Sequence, residues 1–160
     1  AKGRVDSRLL AKLLAHPYLS QAPPKSTGRE AFGTKMLDEL LNWQHTRRLS
    51  VEDLLATCSR WTAEAVGTAR RWIKGGIDDV IVGGGGVRNR AIMGHLTDIF
   101  APVPVTSFEA HGWDSKALES VAFAVLAYQT IMEQCGNVPS VTGAAFPRIL
   151  GCIVPSGPQW

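Results

Sequence analysis

At 160 residues, 45% hydrophobic and 19% charged, the chain is long enough for one domain with a true core and too apolar to be disordered. Its net charge of +3 comes with arginines in separated pairs, Arg47-Arg48, Arg70-Arg71 and Arg88 with Arg90. No basic stripe or aromatic interleaving argues for nucleic acid, and no run approaches the roughly 18 apolar residues of a membrane span.

In chain order, Asp6 or Ser7 can cap a first helix whose apolar face is Leu9, Leu10, Leu13 and Leu14, and His16-Pro17 ends it. Gln21 to Glu30 contains Pro23-Pro24 followed by Lys25, Ser26, Thr27, Gly28 and Arg29. Such a stretch is either a linker loop or a contact to phosphate or sugar. Met36, Leu37, Leu40, Leu41 and Trp43 predict a second helix. Ser50 with Asp53 three positions on resembles a capping box that opens a third. Leu54, Cys58, Trp61, Ala65, Ala69 and Trp72 keep helical spacing until Gly75-Gly76, which predicts one long helix with its tryptophans in the core. His45 and His95 are expected to be exposed or capping residues.

Val80-Ile81-Val82 then runs into Gly83, Gly84, Gly85 and Gly86, and helical spacing resumes at Ile92, Met93, Leu96, Ile99 and Phe100. This reads as strand, tight loop, helix. Pro102 stops the helix and Val103 to Thr106 supplies a second strand, completing a βαβ unit. Glycines at the carboxyl end of a strand let a ligand approach the backbone, and the next helix offers N–H groups and partial positive charge to a phosphate. A nucleotide site and a close-packed turn without a ligand both fit. A P-loop does not, because the loop ends Gly86-Val87-Arg88-Asn89 without the required lysine and hydroxyl. A dinucleotide fingerprint lacks its third glycine, where Arg88 stands, although Glu109 lies roughly where a ribose ligand is wanted.

Ser107 to Trp113 is expected as a loop, after which Asp114 or Ser115 caps a helix with a buried stripe of Leu118, Val121, Ala122, Val125, Leu126 and Ile131, ended by Gly136-Asn137. Glu119 in its first turn is either a favourable residue for the helix dipole or a ligand group on the carboxyl side of the sheet. Gly136 to Ala144 is a polar loop, and Ile149 to Val154 is a candidate edge strand. Cys58, Cys135 and Cys152 are odd in number and far apart, arguing against a disulfide framework or a zinc site; reduced thiols and a cytoplasmic location are expected. Two strands and a doubtful third are too few for about five helices. Together with a start at Ala1-Lys2-Gly3 instead of methionine, this predicts a piece of something longer.

Four segments, in order, resemble the anhydro-N-acetylmuramic acid kinases of the sugar kinase, Hsp70 and actin superfamily. They are His16-Pro17-Tyr18 with Pro23 to Glu30, the glycine loop Val82 to Asn89, Glu119 to Ala124, and Gly136 to Ala144. The resemblance implies an α/β fold, here the helix-rich C-terminal lobe of a ribonuclease H-like, actin-like ATPase with a small, incomplete parallel sheet. The whole chain, 1–160, is then a single partial domain.

The implied reaction opens the 1,6-anhydro ring of anhydro-N-acetylmuramic acid with water and phosphorylates O6, using ATP and Mg2+, in cell-wall recycling. By resemblance, Gly83, Gly84, Gly85 and Gly86 form the adenosine-side loop with Asn89 as a nearby polar contact, and Glu119 faces the sugar. The Ser107 to Gly112 loop departs from the family wording at Phe108 and His111. An Asp-Thr-Gly-Pro-Gly-Asn-like segment with the family's catalytic aspartate does not occur in these residues, so no catalytic residue and no metal ligand is assigned to this chain, and it is expected to be inactive alone. Partners are then the sugar and ATP, with a homodimer of the full-length enzyme as the assembly to test. The competing readings are a non-catalytic nucleotide- or partner-binding remnant and a dinucleotide-binding module.

Overall fold

A computed structural model describes residues 2–154 and Gly157. The chain forms two compact units, Ala1–Gly112 and Trp113–Trp160.

The first unit is built along one helix. Helices α1 (Ser7–Leu14), α2 (Pro17–Ser20), α3 (Arg29–Phe32) and α4 (Thr34–Arg47) precede α5 (Val51–Gly67). Leu9 and Leu13 of α1 pack against Leu54 of α5, with Met36, Leu40 and Trp61 around them. Farther along α5, Ala63 is fully buried against Leu96 and Phe100 of α6 (Arg90–Phe100). A helix that presents leucine at one end and alanine at the other lets α6 approach closely where the side chain is small. The two cores are therefore joined by α5.

The expected long third helix is shorter than its spacing suggests. It stops at Gly67, and a 3-10 turn over Thr68–Trp72 follows. A Cβ on Gly67 would lie 2.8 Å from Ile99 Cγ2, so the glycine that admits α6 also weakens the helix at that point. Trp72 is 40% exposed, whereas Trp43 and Trp61 belong to the core as expected.

Strands β1 (Val80–Val82) and β2 (Val105–Ser107) pair in parallel, Val80 opposite Val105 and Val82 opposite Ser107. With α6 between them they form the expected βαβ unit. The second strand starts two residues later than its apolar pattern implied, because Pro104 has no N–H for the ladder; its carbonyl instead accepts from Val80 N–H at 2.9 Å. Among the described residues the sheet has only these two strands, within a helix-rich α/β architecture.

The second unit carries α7 (Leu118–Ile131) and the short α8 (Pro139–Thr142) inside the expected polar loop. The predicted buried stripe of α7 is not found: none of its residues is buried, and Val121, Val125 and Ile131 are exposed. Phe123 and Tyr128 make the helix apolar on other faces too, so spacing cannot single out one stripe. The helix also ends before Gly136-Asn137. Glu133 takes a positive φ of 53°, and Gly136 N–H bonds the Arg148 carbonyl at 3.0 Å. The candidate edge strand at 149–154 is irregular chain, since Gly151 turns at φ 93° and the Leu150 carbonyl accepts from Thr130 Oγ1 at 2.5 Å.

Candidate functional site

The glycine loop borders a groove of about 750 Å³ in the first unit. Three pieces of chain make it: Lys2 and Gly3, one face of α5 with Glu52, Leu55, Ala56 and Ser59, and the stretch from Gly85 through Arg88, Asn89, Arg90 and Ala91. Its volume falls within the range of small-molecule sites.

The first wall is held by the backbone. A Cβ on Gly3 would overlap the Glu52 carbonyl, so only glycine lets the chain lie this close to α5. Arg4 N–H donates to Asp53 Oδ1 at 2.6 Å and Asp6 N–H donates to Thr57 Oγ1 at 2.9 Å. The Arg4 N–H, and after it Ser50, hold the Asp53 carboxyl below its ordinary value. Burial pushes the Cys58 thiol up, consistent with a core residue and not a reactive one.

The glycine side is a turn in two steps. Gly84 sits at φ 79°, which a side chain rarely adopts, and Gly85–Arg88 then form a 3-10 turn before α6 begins. Asn89 caps α6, its Oδ1 accepting from Ala91 N–H at 3.0 Å and Ile92 N–H at 3.3 Å. Two of the first donors of α6 are therefore already engaged by Asn89. Around Gly84, Gly85 and Gly86, a Cβ would meet no atom within 4 Å, leaving open space for a ligand beside the backbone.

Gly85 and Asn89 line the groove, while Gly83, Gly84 and Gly86 belong to the turn that carries them there. Glu119 is exposed in the first turn of α7, in the second unit. Glu109 lies in the 3-10 turn Phe108–His111 and is not among the groove residues, which removes the main support for a dinucleotide site. In that turn His111 Nε2 lies 2.9 Å from Thr106 Oγ1 and 3.7 Å from Asp79 Oδ2. Lys25 donates to the Tyr18 carbonyl at 2.8 Å and lies 4.5 Å from the centre of its ring, while Gly28 N–H donates to Glu30 Oε1 at 2.6 Å. These contacts favour the loop reading of the Lys25 to Arg29 stretch.

Sequence reasoning missed Lys2, Glu52, Leu55, Ser59 and Arg90 as site residues. The spacing of Glu52, Leu55, Ala56 and Ser59 puts them on one helix face, but nothing local says which loop that face meets. Electrostatically the groove holds Lys2, Arg88 and Arg90 against one carboxylate, Glu52, which suits an anionic ligand. Among the described residues no three His, Cys, Asp or Glu side chains gather as metal ligands.

Comparison with known proteins gives this groove its context. The sequence profile described as Anhydro-N-acetylmuramic acid kinase matches residues 1–156. Proteins named anhydro-N-acetylmuramic acid kinase are 39% identical over 159 residues in Clostridioides difficile (strain 630) and 44% identical over 155 residues in Cupriavidus pinatubonensis, each alignment covering 97% of this chain and 41% of the relative. The relative in Salinibacter ruber is 40% identical over 159 residues, 98% of this chain and 40% of its own length. The chain thus spans about two-fifths of the curated relatives it matches, and with the profile covering nearly all of it, it belongs to the anhydro-N-acetylmuramic acid kinase family.

Proposed function

We propose that these residues supply the adenosine-binding side of an ATP-dependent kinase that opens the anhydro ring of 1,6-anhydro-N-acetylmuramic acid and phosphorylates it to N-acetylmuramic acid 6-phosphate. The observation that carries this reading is the groove between the glycine turn and α5, with open backbone at Gly85 and three cations along it. Glycines give the ligand close approach, and the cations offset part of the triphosphate charge.

The finer assignments follow the same reading. The fold is the C-terminal lobe of a ribonuclease H-like, actin-like ATPase. Glu119 faces the sugar, and Asn89 contributes its amide Nδ2 to the nucleotide while Oδ1 holds the helix start. Mg2+ enters with the triphosphate and supplies charge neutralisation there. The full enzyme acts in the cytoplasm, as a homodimer, on a small-molecule sugar. The present 160 residues bind nucleotide without phosphorylating sugar, since the implied catalytic aspartate segment is not among them.

The test is a calorimetric titration of the chain with Mg·ATP, repeated with Gly85→Val. A Cβ there meets no atom within 4 Å and the position does not need a positive φ, so the variant should fold and project its side chain into the groove. Binding that is lost in the variant supports the reading. Its absence in a folded, unaltered chain overturns it and favours a remnant that keeps the motifs without their use.

A further inference from the structure

The glycine turn accounts for one wall of the groove; the other is α5. Glu52, Leu55, Ala56 and Ser59 stand at i, i+3, i+4 and i+7 along it and all line the groove. Ala56 is 4% exposed and forms the floor, while Leu55 is 61% exposed. The ion pairs found among the described residues are Lys12–Glu39, Arg60–Glu64 and His111–Asp79. Glu52 takes part in none of them, although Lys2, Arg88 and Arg90 line the same groove.

A carboxylate is a poor lining for a groove that holds only phosphate, because it repels the anion. It is a good acceptor for hydroxyls. The two oxygens of one carboxylate can accept from two neighbouring O–H groups at once, which is the arrangement a ribose 2′,3′-diol presents. Glu52 lies in the first turn of α5, at the end of the helix that borders the glycine turn. Three positions on, Leu55 offers an exposed apolar side chain beside a small floor residue. A flat nucleobase can cover it and remove that apolar surface from water.

We infer that Glu52 accepts the ribose diol of the nucleotide and that Leu55 packs on its base, so that α5 is the wall that selects a ribonucleoside triphosphate over a deoxy analogue or a bare polyphosphate. This deepens the proposed nucleotide reading and rests on it. Glu52 and Leu55 are binding and specificity residues, with no part in bond making.

Calorimetric titrations of the chain with Mg·ATP, Mg·2′-deoxy-ATP and Mg·tripolyphosphate test it, using the unaltered chain, Glu52→Gln, Leu55→Ser and Gly85→Val. The expected result is ATP binding about tenfold tighter than 2′-deoxy-ATP, the size of one charge-assisted hydrogen bond. Glu52→Gln, which keeps only a neutral acceptor oxygen, should cut that preference to about threefold, and Leu55→Ser should weaken both nucleotides alike while leaving tripolyphosphate unchanged. A thermal melt of each variant checks folding. If Glu52→Gln melts early, Glu52→Asp keeps the charge at the helix start but shortens its reach, and the same reduction of preference is expected.

If ATP binds and Gly85→Val abolishes it, yet deoxy and ribo forms bind alike or the preference is undiminished at Glu52→Gln, the diol assignment is overturned and the nucleotide groove stands. If ATP fails to bind a chain that melts cooperatively, both are overturned.

Discussion

Asp6 and Thr57 are joined through a side chain with no exposed surface: the Asp6 N–H donates to Thr57 Oγ1 at 2.9 Å, and the same hydroxyl donates to the Asp53 carbonyl at 2.7 Å. A threonine inside a helix usually points its hydroxyl back at its own backbone. Here it also holds a segment from elsewhere in the chain, and so fixes the Lys2-Gly3 wall of the groove. Replacing Thr57 by valine keeps the shape but leaves the part-buried Asp6 N–H without its acceptor, a cost of about 1–1.5 kcal/mol. Thr62→Val, which removes only an exposed hydroxyl bonded to Cys58 O, should stay within about 0.5 kcal/mol. Urea midpoints of the two variants should separate accordingly.

Asp53 makes the same attachment dependent on pH. Its folded carboxyl lies below the ordinary 3.8 because of the Arg4 N–H first and Ser50 second. A depressed value means the ionised form is favoured in the folded state, so its contribution is complete above 3.8 and lost as pH falls through the lower folded value. Denaturant midpoints measured from neutral pH downward should show Asp53→Asn less stable at neutrality, with the difference closing below 3.8. A gap that stays constant through the acid range would remove the carboxylate from the explanation.

The glycines of the loop are not equivalent. Gly84 is at φ 79° and Gly85 is not in that region. Gly84→Ala should therefore cost about 1–3 kcal/mol, the penalty of a Cβ at positive φ with extended ψ, a region essentially reserved for glycine. Gly85→Ala should be neutral in stability or slightly favourable through the unfolded chain. Thermal melts of the pair distinguish backbone need from ligand access.

Asn89 has two possible uses that substitutions can separate. Asn89→Ala removes the cap of α6 and should cost about 1 kcal/mol, within the usual range for such losses. Asn89→Ser keeps a capping oxygen but lacks an amide, so it should retain most of that stability. Weakened Mg·ATP binding in the serine variant would then report the amide contact itself.

The exposed apolar surface of α7 should be visible in solution. Phe123 is 63% and Ile131 68% exposed. The chain should bind a hydrophobic dye, and Phe123→Ser with Ile131→Ser should lower its fluorescence without lowering the melting temperature. A loss of stability would mean that these side chains are packed, contrary to the structure.

Much of this organisation was legible from local chemistry. Asp6 and Ser50 cap α1 and α5 as their side chains predict, and the Val80-Ile81-Val82 run with four glycines became strand and turn. Cap and turn preferences act within a few residues, so sequence determines them. Spacing misled where an outside contact or a uniform composition decided. α5 ended at Gly67, where a Cβ would meet Ile99 of α6, and α7 had no distinguishable stripe. The segments that carry the family resemblance were likewise readable, whereas the groove was not.

What the sequence by itself determined is the existence of the longer helices α1, α4, α5, α6 and α7, the βαβ unit around the glycine loop and the membership in a kinase family, whereas the short helices α2, α3 and α8 were not legible in it. Tertiary structure alone decided that Glu52 and Leu55 line the same groove as Gly85 and Asn89, because the register in which α5 meets the loop depends on distant contacts: Ala63 against Leu96 and Phe100, and Thr57 beneath Asp6. Those contacts join residues far apart in the chain, and no pattern within one helix encodes which loop its exposed face will meet.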